Sequence, residues 1–183
     1  MSEYEAVKTH MPMWSINVTP KVSVFCAISS QKVYGPFFFA EETVSGMTYL
    51  DMLQMWLMAH WQNIPTFLFQ QDGTSAYFYC EVRQYLNTVL PGRWIGRASG
   101  NDLPLLLWFP RSPDITPCDF FLWEYVKERV FVPPLPRDLT YLKARIITAV
   151  KNIDAPMLTR VWQELEYRID VCRVTRGAHI KHL

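Results

Sequence analysis

No aspartate occurs before Pro20, and the whole chain of 183 residues has only 7 glycines and 4 cysteines. Cys26, Cys80, Cys118 and Cys172 lie far apart with no CxxC pair. That spacing argues against a zinc site or a disulfide scaffold and for reduced, buried thiols. GxGxxG and GxxxxGK[ST] are both missing, so no nucleotide cradle is expected. Ser75, Ser99 and Ser112 lack a GxSxG setting, which leaves a hydrolase triad unsupported. No window approaches the roughly 18 uninterrupted apolar residues of a membrane span, so no membrane partner is expected. Glu3 and Glu5 stand where a secretory signal has a basic start, and no export signal is read there. His179 and His182, at i and i+3, have no third ligand at a useful spacing and read as a frayed helix end.

Core material is plentiful. Apolar residues make up 50% of the chain, aromatic ones 15% and charged ones 19%, which is the composition of one globular domain. The net charge of +1 hides an asymmetry. Up to Gly92 there are 4 Lys and Arg against 7 Asp and Glu; beyond it there are 14 against 10. From Val171 onward Arg173, Arg176 and Lys181 meet no acid at all. Such a basic end reads either as a solvated tail or as a segment that tracks a phosphate backbone.

Periodicity divides the chain into alternating strands and helices. Lys21–Ile28 reads as a strand and Lys32–Phe39 as its hairpin partner, with Gly35-Pro36 marking a bulge or an edge. Thr48, with Asp51 three residues on, reads as the cap of a helix carrying Tyr49, Met52, Leu53, Trp56 and Leu57 on one face. Thr66–Phe69 is a short buried strand ending in Gln70-Gln71-Asp72-Gly73, and a helix over 75–89 follows. Arg93–Gly96 is a further strand, and the apolar run Leu103–Phe109 needs cover. Three helices close the chain, capped at Thr116, Asp138 and Asp154, with the stiff Pro133-Pro134-Leu135-Pro136 between the first two. The order predicts an α/β fold with a mixed sheet.

Two acids stand out by position. Asp72 ends an apolar strand, where ligands and catalytic groups gather in open α/β sheets. Asp119 opens a helical face that continues through Leu122, Trp123, Val126 and Val130. Paired carboxylates are oxygen ligands for Mg²⁺ or Mn²⁺, and two such ions activate water for phosphodiester cleavage. Each acid also has a plain reading. Thr116-x-x-Asp119 fits a capping box, and Asp72-Gly73 is turn chemistry.

The motifs Gln70-Gln71-Asp72-Gly73 and Pro110-Arg111-Ser112-Pro113-Asp114-Ile115-Thr116-Pro117-Cys118-Asp119-Phe120-Phe121-Leu122-Trp123 resemble the catalytic region of mariner-type transposases of the DDE superfamily. Val33–Phe38, Pro91–Gly96, Tyr167–Cys172 and Gly177–His179 extend the resemblance in order from about Pro20 onward. It implies a ribonuclease-H-like fold, a DDE or DDD triad holding two Mg²⁺ or Mn²⁺ ions, and cut-and-paste transposition of a DNA element. By motif match Asp72 is the second acid and Asp119 the third, both catalytic and metal-binding, while Asp114 is supportive. Arg93, Arg97, Arg111 and Arg173 are the expected nucleic-acid contacts. The implied partner is DNA at transposon ends, with a homodimer left open and the nucleus as location. Residues 1–19 are unassigned, 20–132 form the core and 133–183 a helical extension of the same domain.

Departures from the family pattern shape the functional expectation. The family's first acid sits in a Ser/Thr-Asp-Glu strand before the hairpin; the residues before Pro20 hold no such setting. Its N-terminal helix-turn-helix is not found here either. The usual Ala-Pro-Pro-His is replaced by Thr74-Ser75-Ala76-Tyr77, a second Pro by Phe109, and Gly by Glu124. The Asp72-to-Asp119 spacing is also longer than in mariner itself. The sheet is therefore expected to lack its first central strand, and activity to be impaired. A slot left open would expose backbone groups at about 1–3 kcal/mol each. Met13–Val18, with three apolar positions and little charge, is the segment expected to fill it. A non-enzymatic nucleic-acid- or protein-binding module derived from a transposon is the alternative.

Overall fold

The computed structural model describes residues 5–10, 13–14, 22–61, 67–108 and 113–175. Every residue of strand β3 (Val22–Ile28) is buried, so this strand is covered on both faces. Side chains alternate across a strand, and the two sets go to different cores. Phe25 and Ala27 join Tyr49, Leu53, Trp61, Phe69, Leu86 and Trp94 on one face of the sheet. Val22, Val24, Cys26 and Ile28 join Leu122, Val126, Leu142, Ile146, Leu158 and Val161 on the other. Helices thus cover both sides of one sheet. Burial pushes the Cys26 thiol well above its usual range. Cys118 is buried as expected, whereas Cys80 is exposed and Cys172 intermediate, and all four are free.

The sheet has the order β2-β3-β1-β5-β6-β7, with β4 on the outer side of β3. Here β1 is Glu5–His10, β2 Met13–Trp14, β4 Val33–Phe38, β5 Phe67–Gln71, β6 Trp94–Gly96 and β7 Leu106–Leu107. Strands β1, β5, β6 and β7 are mutually parallel, and β3 runs antiparallel to β1 and β4. A mixed α/β sheet is the one expected. The central slot, however, is not empty. Strand β1 fills it, pairing Lys8 with Ile28 on one side and Glu5 to Thr9 with Phe67 to Gln71 on the other. Met13 and Trp14 follow on the same edge of β3 in the same register, opposite Ser23 and Val22. The filler is therefore Glu5–His10, and Met13-Trp14 only prolongs its line. Residues 15–21, the rest of the expected filler included, lie outside the described residues. The reason is register: a segment must reach β5 as well as β3 to satisfy both backbones.

Gly35 marks the irregularity in β4. The β3–β4 register shifts between Phe25 and Ala27, and Gly35 has φ 115°. A Cβ there would stand 2.9 Å from the Phe25 carbonyl oxygen. Helix α1 (Gly46–Met52) continues through a π turn (Leu53–Leu57) into α2 (Met58–Trp61). Its cap is Ser45, whose Oγ accepts from the Thr48 amide at 3.1 Å, so the helix starts earlier than Thr48. Gly46 permits that start, because a Cβ would fall 2.3 Å from Tyr79. The helix expected over 75–89 is broken: a 3₁₀ turn (Ser75–Phe78) precedes α3 (Cys80–Val89).

After the π turn Cys118–Leu122 come α4 (Trp123–Val130), α5 (Leu139–Lys151) and α6 (Ala155–Val174). Asp138 and Asp154 cap the last two, accepting from the Tyr141 and Met157 amides at 2.7 and 2.9 Å. Ile169 of α6 is 40% exposed. Leu103, Leu105, Leu106 and Leu107 are exposed as well, with Trp108 buried at the end of the run. No helix among the described residues is long and apolar enough to cross a membrane.

Candidate functional site

Parallel strands bring their C-terminal ends to one edge of a sheet, and crevices form there. Gln71 and Asp72 close β5, with Gly96 and Arg97 closing β6 beside them. Gln70, Gln71 and Asp72 are all buried, and buried polar groups need partners. Tyr49 donates its hydroxyl to Gln71 Oε1 at 3.2 Å, and Gln71 Nε2 donates to the Tyr77 carbonyl at 3.3 Å. The two tyrosine rings stack with centroids 4.4 Å apart. A Cβ on Gly96 would press on Gln71 Cγ at 3.0 Å, so this position is fitted to the glutamine. Asp72 itself accepts from the Thr74 amide at 2.8 Å, an Asx turn that orients its carboxylate. The strand-end and turn readings of Asp72 are thus both true.

A basic group adjoins that turn. Arg97 donates to the Gly73 carbonyl at 3.2 Å and stacks its guanidinium 4.5 Å from the centre of the Phe78 ring. Arg83 stacks on the same ring at 4.3 Å and donates to the Phe78 carbonyl at 3.1 Å. Asp102 anchors Arg83 through a 3.0 Å contact to its Nε. Burial alone would raise the Asp102 carboxyl. The Ser99 amide and hydroxyl, the Asn87 amide and Arg83 together hold it below the usual carboxylate range. Sequence reading missed this Arg83–Phe78–Arg97 group, because its members come from three separate elements.

Asp119 arrives from the other direction. It lies in the π turn Cys118–Leu122, which packs against β1 and β3. Its amide donates to the Thr116 carbonyl at 2.8 Å, and the residue is half-buried. Leu122, Trp123, Val126 and Val130 are buried as the helical face required. Helix α6 fixes the preceding turn: Arg168 donates to the Asp114 carbonyl at 3.2 Å and stacks 4.4 Å from the centre of the Phe120 ring. The turn bearing Asp119 therefore touches β1, the strand that lies between β3 and the strand β5 ending at Asp72.

The other expected contacts scatter. Arg93 stands at the opposite end of β6, donating to the Val89 carbonyl at 3.2 Å, with Phe67 beneath it at 5.9 Å. Arg173 forms an exposed 3.2 Å pair with Asp170 on α6. Arg111 lies outside the described residues.

A two-ion site asks for carboxylates from three elements, and β1 supplies none at this edge. Thr9 pairs with Gln71, which sets His10 level with Asp72; the strand's one acid, Glu5, pairs with Phe67. Five rungs separate Glu5 from the level of Asp72, about 16 Å at the rise of a strand. Among the described residues no three His, Cys, Asp or Glu side chains are grouped to hold a metal. Among the described residues the donor set therefore falls short of the two-ion centre that the motif resemblance implies.

No family model matches the chain, and no curated protein does. Solved structures do. The Mos1 transposase catalytic domain, determined with raltegravir and manganese, superposes with a TM-score of 0.76 at 17% identity, over 96% of this chain and 84% of that one. The same domain with raltegravir and magnesium gives 0.75 at 16% identity, over 96% and 85%. The Mos1 paired end complex with manganese gives 0.74 at 16% identity, covering 96% of this chain and 56% of that one. The strand end, the π turn and the filled central slot belong to an architecture that is the ribonuclease-H-like fold of the Mos1 mariner transposase catalytic domain.

Proposed function

We propose that the chain is a DNA-binding portion of a cut-and-paste transposase, acting in the nucleus, whose strand-cleaving power is lost or severely reduced. One observation carries the reading: the register of β1 on β5 places Lys8, Thr9 and His10, and no Asp or Glu, at the backbone positions beside Asp72. Asp72 and Asp119 are hard oxygen donors suited to Mg²⁺ or Mn²⁺, yet two-ion phosphodiester cleavage needs both ions held. Arg97, exposed beside the Asp72-Gly73 turn, is the cation best placed to meet a DNA phosphate there. Solved Mos1 assemblies, a paired end complex with a transposon end and a strand transfer complex among them, support DNA as the partner class.

The test uses the purified chain and an end-labelled duplex in Mg²⁺ or Mn²⁺. Retention of DNA that weakens linearly in a log–log plot against salt is expected, with no cleavage product. Robust metal-dependent cleavage that Asp72→Ala abolishes would overturn the impairment. Absence of retention at low salt would overturn the DNA assignment.

A further inference from the structure

Strand β4 leads into an aromatic wall at the same edge of the sheet as Asp72, three strands across from it. Phe37, Phe39 and Trp56 line a cavity of about 290 Å³ between the end of β4 and α1, with Met55, Glu41 and Asp51 around it. The Phe37 ring lies 5.1 Å from Phe39 and 5.3 Å from Trp56, centre to centre. Trp56 in turn sits edge-on against Phe25 at 6.2 Å, so the wall is anchored to the core. Met55 is 75% exposed, and both carboxylates are exposed. Among the described residues no cation forms an ion pair with Glu41 or Asp51. The neighbouring Phe38 already carries an ammonium, with Lys143 Nζ from α5 5.3 Å from its ring centre.

We propose that this groove docks a lysine or arginine side chain from an extended basic segment of another protein. Aromatic faces attract cations, and the methylene stem of Lys or Arg is itself apolar enough to lie along phenyl rings. Glu41 and Asp51 then face the charged head. The surroundings agree in sign: Glu41, Glu42 and Asp51 are three of the 7 acids against 4 basic residues up to Gly92. That sign excludes a nucleic-acid backbone as the occupant, since phosphates are repelled from an acidic groove. The proposal does not rest on the DNA reading of the Asp72 turn.

The probe is a fluorescein-labelled, acetylated and amidated peptide alternating glycine with three lysines, titrated by anisotropy against the intact chain. Saturable binding is expected, weakened about fivefold by Glu41→Gln with Asp51→Asn, as for loss of exposed ion pairs. A peptide with norleucine for lysine should not bind, tetramethylammonium should compete, and Asp72→Ala should bind like the parent chain. Both substituted acids are exposed, so the fold is retained, and circular dichroism checks it. Equal binding of the norleucine peptide, equal binding by the double variant, or no binding of the lysine peptide would each overturn the proposal.

Discussion

Arg93 and Arg97 flank one short strand, and the two ends of that strand serve different purposes. At the N-terminal end, Arg93 closes the last turn of α3 through the Val89 carbonyl and lies over Phe67, deep in the aromatic packing around Trp61. At the C-terminal end, Arg97 holds the Gly73 carbonyl beside a buried carboxylate and stays exposed. Composition makes the two arginines equivalent; the polarity of a parallel sheet does not. One end is built to hold strands together, and the other leaves polar groups at a crevice.

That contrast breaks most sharply at Trp61. Its ring meets Tyr34, Phe67 and Phe69 at 5.4, 4.8 and 5.5 Å and joins β4 to β5. Trp61→Ala is expected to cost about 3–5 kcal/mol in urea unfolding, as for other buried aromatic truncations. A cost below about 1 kcal/mol would remove the structural role assigned to this end.

The arginines themselves give the intermediate effect. Arg97→Ala should lower the salt slope of DNA retention by about 1 and leave the urea midpoint nearly unchanged. Arg93→Ala should do the reverse, costing about 1 kcal/mol of stability through the lost hydrogen bond with an unaltered slope. Equal slopes for both variants would erase the distinction between the two ends.

The finest distinction is in acid. Asp102, which ties Arg83 and the Ser99 loop to the Arg97 side, is held below the usual carboxylate range. A depressed folded value means its stabilisation is present above the unfolded carboxyl value, about 3.9, and disappears as pH falls through the folded one. Urea midpoints measured from pH 6 to pH 2 should therefore fall less steeply in Asp102→Asn than in the parent chain. Parallel acid limbs would show that Asp102 contributes no linked proton.

Local signals settled much of this molecule before any tertiary contact. The caps Asp138 and Asp154, the strand Val22–Ile28 and the bulge at Gly35 follow from short-range rules of propensity, hydrogen bonding and φ. The motifs around Asp72 and Asp119 likewise pointed to a fold that the Mos1 domain shares. What local chemistry left open was which segment enters the sheet between β3 and β5. Glu5–His10 has no stronger strand pattern than Met13–Val18, and only simultaneous pairing with two neighbours separates them. The exposed leucines after Leu103, the cap at Ser45 and the Phe78 stack were hidden for the same reason. Each depends on which distant residues come within contact distance, a quantity that periodicity along one segment does not contain.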